Sequence, residues 1–180
     1  MAFNLVKKYD SFLEIGHFTE QERSRILRQI FDRDIADNED FSFHNKIIRP
    51  LKKEDVFDVD SLFKHLTFRS EEYKDLNGRK LKRRNIFDFE RSKRLHWILP
   101  HIDLKLKNVK IEVFSSKVRK DGKDVIRTFI YNVDKQYVII LEPQRSGLDY
   151  YFITAYYLDK KLGGPKSIQK SMKRKLSVIY

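Results

Sequence analysis

The chain is predicted to be an α+β protein: N-terminal helices, then a four-stranded antiparallel meander with a helix packed on one face. Three observations predict this. The stretch from Val109 to Leu158 holds four short segments with strand patterning. Val109, Ile111 and Val113 alternate with polar residues, and so do Ile126 and Ile130 with Arg127 and Tyr131. Tyr137–Leu141 is continuously apolar, and Asp149–Leu158 is aromatic and β-branched. Alternation at period two marks half-buried strands, and an unbroken apolar run suits a central one. The segments are joined by Lys120-Asp121-Gly122-Lys123, Asp134-Lys135 and Gln144-Arg145-Ser146-Gly147. These connections are too short for parallel crossovers and carry turn residues. Upstream, apolar residues recur at helical spacing behind good N-caps.

Taken in order, Phe3, Val6, Phe12, Leu13 and Ile15 suggest a first amphipathic helix over 3–15, ended by Gly16. Thr19 with Glu22 three residues on forms a capping box, and Ile26, Leu27, Ile30 and Phe31 carry that helix towards Asp37. Residues 37–45 are polar and are expected to form a loop. Ile47–Leu51 reads as extended, and Asp58 or Asp60 as the cap of a helix over Ser61–Leu66. Residues 69–85 are densely charged around an Asn77-Gly78 turn. They fit either a solvated loop or a mobile arm that contacts phosphates. Asp88 is expected to cap a helix over Phe89–Leu99, which Pro100 stops. On that helix Leu95, Ile98 and Leu99 form the core stripe, Trp97 lies off it, and His96 borders it. After Gly163-Gly164-Pro165, Ser167–Lys175 is a candidate basic helix.

Charge divides the chain. The total is +12, yet residues 1–45 hold six Lys/Arg against nine Asp/Glu, a balance of −3. The composition separates an acidic helical region over 1–45, a linking segment with a basic arm over 46–84, and a C-terminal domain over 85–180. Positive charge gathers in Arg79, Lys80, Lys82, Arg83 and Arg84, and in the tail with Lys170, Lys173 and Arg174. Such clusters point to a polyanion, with RNA or DNA the foremost candidate.

Several chemistries lack their residues. There is no cysteine, so disulfides, thiolate metal sites and cysteine nucleophiles are excluded. No phosphate-binding Gly-rich loop with Lys-Ser/Thr and no Gly-x-Ser-x-Gly elbow is present. His96 and His101 sit five apart across a proline, a poor metal spacing, so no metal and no cofactor is expected. No apolar run is long enough for a transmembrane helix. The first residues lack the pattern of a secretory signal, so a cytoplasmic protein is expected. What remains is metal-free chemistry by His, Arg, Lys, Thr and Tyr. RNA supplies its own 2′-hydroxyl nucleophile, so its cleavage needs only a base, an acid and cations around the phosphate.

The segment Phe87-Asp88-Phe89-Glu90-Arg91-Ser92-Lys93-Arg94-Leu95-His96-Trp97-Ile98-Leu99-Pro100 leads into the four strands. The last of these reads Tyr151-Phe152-Ile153-Thr154-Ala155-Tyr156-Tyr157, ahead of a basic tail ending Val178-Ile179-Tyr180. Residues 85–180 thereby resemble the phage-associated nuclease domains grouped with barnase, EndoU, the tRNA-cleaving colicins and RelE. The resemblance implies helices on one face of an antiparallel sheet and metal-independent RNA cleavage, often by a toxin held by an acidic antitoxin or immunity protein. Carried over by position, its active residues become His96, then Lys117 or Arg119 with Arg127, then Thr154 with Tyr156. Read from the residues alone, the same basic face equally suits a non-catalytic nucleic-acid-binding module, or a structural protein of a phage or mobile element. Of Tyr150-Tyr151 and Tyr156-Tyr157, one member of each pair is expected in the core, leaving the other to stack a base.

Overall fold

A computed structural model describes residues 8–159 and 164–180. The architecture is α+β. The four expected C-terminal strands are β7 (Ile111–Lys120), β8 (Lys123–Asn132), β9 (Tyr137–Pro143) and β10 (Asp149–Tyr157). They form an antiparallel meander, but the sheet does not stop there. Two N-terminal strands, β1 (Ser42–Phe43) and β2 (Lys46–Arg49), extend it to six in the order β1-β2-β10-β9-β8-β7. Strand β2 runs parallel to β10, pairing Ile47, Ile48 and Arg49 with Asp149, Tyr150 and Tyr151. The loop expected over 37–45 therefore contains a strand. Phe41 and Phe43 are buried, and His44 and Asn45 turn the β1–β2 hairpin at positive φ, a conformation Asn and His tolerate better than most residues.

The core lies on one face of this sheet. Helix α1 (Glu20–Phe31) buries Ile26, Leu27, Ile30 and Phe31 there, and its capping box is formed as Thr19 and Glu22 predict. A π-helical turn over Asp32–Ala36 continues it. After a small β3–β4 hairpin (Lys52–Lys53, Val56–Phe57), helix α2 (Val59–Thr67) adds Leu62, Phe63 and Leu66. Asp58 is its cap, accepting from the Ser61 amide at 2.8 Å. The acidic N-terminal region and the basic C-terminal region thus share one core.

Two helical expectations fail. Residues 8–15 form no helix; residues 3–7 of that expected helix lie outside the described residues. The segment instead lies against the next helical stretch, where the Leu13 amide donates to the Lys93 carbonyl at 3.0 Å. That bond occupies the acceptor that an uninterrupted helix over 89–99 would offer to Trp97, whose amide turns to the Arg94 carbonyl. The stretch therefore breaks into α3 (Phe89–Ser92), a 3₁₀ turn (Leu95–Trp97) and α4 (Ile98–Ile102). Pro100 does not stop a helix. It sits in the first turn of α4, where its missing N–H costs nothing. The break also rotates Trp97 inward, leaving it only 1% exposed.

The charged segment 69–85 is neither a loop nor a free arm but a two-stranded ribbon, β5 (Phe68–Lys74) and β6 (Lys80–Phe87), closed by Gly78 at φ +75°. Helix α5 (Gly164–Lys173) lies on the second face of the main sheet, where Ile168 and Met172 join Phe114, Phe129 and Ile140. The chain then runs beside β7, and the backbone carbonyl of Tyr180 accepts from the Thr128 and Tyr150 hydroxyls.

Candidate functional site

The residues singled out from the sequence divide over two faces. His96 is 4% exposed, within the helical core. Its Nε2–H donates to the Ser11 carbonyl at 2.9 Å, and the Trp97 indole donates to the same oxygen at 3.0 Å. Burial lowers its pKa to about 4, so it is a neutral structural histidine. Lys117 and Arg119 project from the exposed end of the β7–β8 hairpin, and Arg119 pairs with Asp124 at 3.3 Å. Strand alternation puts both on the opposite face from Arg127, Thr154 and Tyr156.

Those last three do share a face, but they do not converge. Arg127 Nη2 is 2.9 Å from Glu142 Oε2, one strand away, so its charge is neutralised. Thr154 is 9% exposed, just past a bulge at Ile153. Helix α5 packs over the same face, so there is no open basic platform. Lys170, Lys173 and Arg174 are exposed at its C-terminal end.

Of the expected catalytic residues, Tyr156 lines a concavity. Strand β10 pairs with β2 only through Tyr151, so beyond that point its outer edge has no strand neighbour among the described residues. Against this free edge stand α2, α3 and the root of the ribbon. Helix α3 and the ribbon root enclose with β10 a concavity of about 590 Å³ lined by Arg69, Asp88, Glu90, Arg91, Tyr156, Tyr157 and Asp159 among others. A smaller depression of about 220 Å³ lies along the same edge, with Lys52, Lys53, His65 and Ile153 in its wall.

Arg91 joins the two. Asp88 caps α3 by accepting from the Arg91 amide at 3.0 Å, which fixes where the side chain starts. Its Nη1 donates to the His65 carbonyl at 2.6 Å, and its guanidinium lies 5.6 Å from the Tyr156 ring centre. Its Nε has no hydrogen-bond acceptor among the described residues, the nearest carboxylate being Asp88 at 3.6 Å. Arg84, at the root of the ribbon, is close enough that burial and Arg91 together hold its pKa below the ordinary value. The His65 imidazole is lowered to about 4, first by burial and then by Arg84 and Arg91. Burial raises the Tyr156 hydroxyl, against the pull of Arg91. Arg69 and Arg91, with Arg84 nearby, share this edge with the carboxylates of Asp88, Glu90 and Asp159, beside a neutral imidazole and a phenol; the guanidiniums supply the planar donors that a phosphate group takes.

Behind the concavity, Arg94 locks the frame. It donates to the Glu90 carbonyl at 2.6 Å and lies over the rings of Tyr157 and Phe12 at 4.5 and 4.6 Å. Sequence reasoning missed Arg91, His65 and Arg69. The spacing of Arg91 and Arg94 on one short helix ahead of a tyrosine-rich strand was the available signal for Arg91. His65 and Arg69 are brought in by tertiary packing, which leaves no local trace. Among the described residues no three His, Asp or Glu side chains group as metal ligands, and no helix is long and apolar enough to cross a membrane.

No family model matches the chain, and neither a curated protein nor a solved structure does.

Proposed function

We propose that the protein is a metal-independent endoribonuclease that takes RNA at the free edge of β10. One observation carries this reading: Arg91, bonded to the His65 carbonyl and facing Tyr156, stands in a concavity with Arg69 and beside Arg84. In this reading His65, neutral at pH 7, removes the 2′-hydroxyl proton. The oxygen attacks the adjacent phosphorus, the bond to the 5′-oxygen breaks with a proton taken from water, and a 2′,3′-cyclic phosphate remains. Arg91 and Arg69 stabilise the charge that develops on the phosphorane. Tyr156 or Tyr157 stacks a neighbouring base. As a toxin, the protein would be covered here by an acidic antitoxin or immunity protein, steered by charge.

A second reading, a non-catalytic RNA-binding module, is favoured by the burial of His96 and the neutralisation of Arg127. Incubation of the purified protein with total RNA in EDTA separates the two. Cyclic-phosphate ends that disappear in His65→Ala and Arg91→Ala, with circular dichroism unchanged, support the enzyme. Intact RNA with salt-sensitive retention supports the module.

A further inference from the structure

We infer that the strand taken at this edge is unpaired, and that the β5–β6 ribbon is the guide along which it reaches the concavity. The inference rests on the reading of the β10 edge as an RNA site. It starts from register. Lys74 pairs with Lys80, Glu72 with Lys82 and Ser70 with Arg84, so Lys74, Lys80, Lys82 and Arg84 lie on one face of the ribbon. On the opposite face the pairs are Tyr73 with Leu81 and Glu71 with Arg83. Cations two residues apart on one strand face are about 6.8 Å apart, close to the phosphate-to-phosphate step of an unstacked strand. The row does not end in solvent. Its last member, Arg84, stands beside Arg91 and His65, and Arg69 of the partner strand lines the concavity.

Two further observations select an unpaired strand. The ribbon is exposed along most of its length, so a single strand can lie on it without displacing the core. The one internal competitor is Glu72, which pairs with Lys82 at 3.3 Å in full view of solvent; such a pair is weak and gives way to phosphate. At its end, a concavity of about 590 Å³ walled by Tyr156 and Tyr157 admits a nucleotide but not a turn of duplex. A paired base would first have to be flipped out.

The experiment uses the whole protein with cleavage-resistant 2′-O-methyl RNA, in fluorescence anisotropy. A 12-nucleotide single strand, its blunt duplex and a 4-nucleotide strand are compared. The expected result is binding of the 12-mer at least ten-fold tighter than the duplex. Lys80→Glu with Lys82→Glu should weaken the 12-mer ten-fold or more. The slope of its salt dependence should flatten by about 0.7 for each phosphate that is no longer neutralised. The same pair should leave the 4-mer unchanged. Equal or tighter duplex binding overturns the inference, and so does a 12-mer affinity indifferent to the two substitutions. In either case loss of cleavage in Arg91→Ala would still uphold the enzyme, so the two failures are distinguishable.

Discussion

Arg127 and Glu142 face each other across β8 and β9, Nη2 to Oε2 at 2.9 Å, with side chains only 12% and 22% exposed. Removing one partner leaves a largely desolvated charge alone. Glu142→Gln should destabilise the protein by about 2 kcal/mol, lowering Tm by about 4–8 °C for a chain of this size. Replacing both residues by Leu should recover most of that loss. Thermal melts followed by circular dichroism check both outcomes. RNA affinity should move little, because this pair is not at the β10 edge.

A pH dependence follows from His101. Its Nδ1–H donates to the Trp97 carbonyl at 2.6 Å, and its Nε2 accepts from the Asn132 amide at 3.0 Å. Acceptance at Nε2 requires the neutral ring, and burial lowers its pKa to about 4 against the pull of the Trp97 carbonyl, as burial also does for His96. The unfolded chain, with ordinary values near 6.5, binds these protons first as pH falls. The stabilisation is therefore complete above pH ~6.5 and declines as the pH drops towards 4, by about 3 kcal/mol for each ring. Urea titrations between pH 7 and 4.5, read by the fluorescence of the single tryptophan, Trp97, should show the midpoint falling. The fall should be shallower in His101→Gln.

At the β10 edge, Arg91→Ala should weaken RNA binding roughly 10- to 100-fold, the loss of a charge-assisted hydrogen bond or two. Arg91→Lys should not restore it, since an ammonium cannot hold the His65 carbonyl while presenting the remaining donors in a plane. Filter binding at fixed salt decides this.

Tyr156 separates stacking from its hydroxyl. Tyr156→Phe should keep binding within a few-fold, whereas Tyr156→Ala should cost about 1–3 kcal/mol of affinity. Comparable losses in both variants would assign the contribution to the hydroxyl instead.

Thr19 tests the capping box of α1. Its hydroxyl oxygen accepts from the Glu22 amide, and Glu22 accepts in return from the Thr19 amide at 2.9 Å. Thr19→Ala should cost about 1 kcal/mol, measurable by urea denaturation.

That cap and the four meander strands were legible because each is written in a few neighbouring residues, whereas the cap of α2 was narrowed only to Asp58 or Asp60. The ribbon was not. Most of the ribbon is exposed on both faces, so Arg69–Lys74 and Lys80–Phe87 are mainly charged and carry no sustained apolar alternation. The break in the 89–99 helix was hidden for a different reason: its cause is Leu13, about eighty residues upstream, bonding Lys93. The candidate site suffered most. Its arginines sit on α3 and the ribbon, its imidazole on α2 and its phenol on β10, and that edge is open because the pairing of β2 with β10 stops at Tyr151. His96 looked the part because a histidine near a core stripe has the same local pattern whether it faces solvent or the interior.

The parallel pairing of β2 with β10 also sets a timetable for synthesis. Arg49 must wait for Asp149, its ion-pair partner at 3.2 Å, and ribosomes add about 5–20 residues per second. For about 5–20 seconds the nascent chain carries Phe41 and Phe43 without Phe152 and Tyr150, the β10 rings they pack against. Chaperone supply and growth temperature should therefore govern the yield of this protein more than its finished stability does.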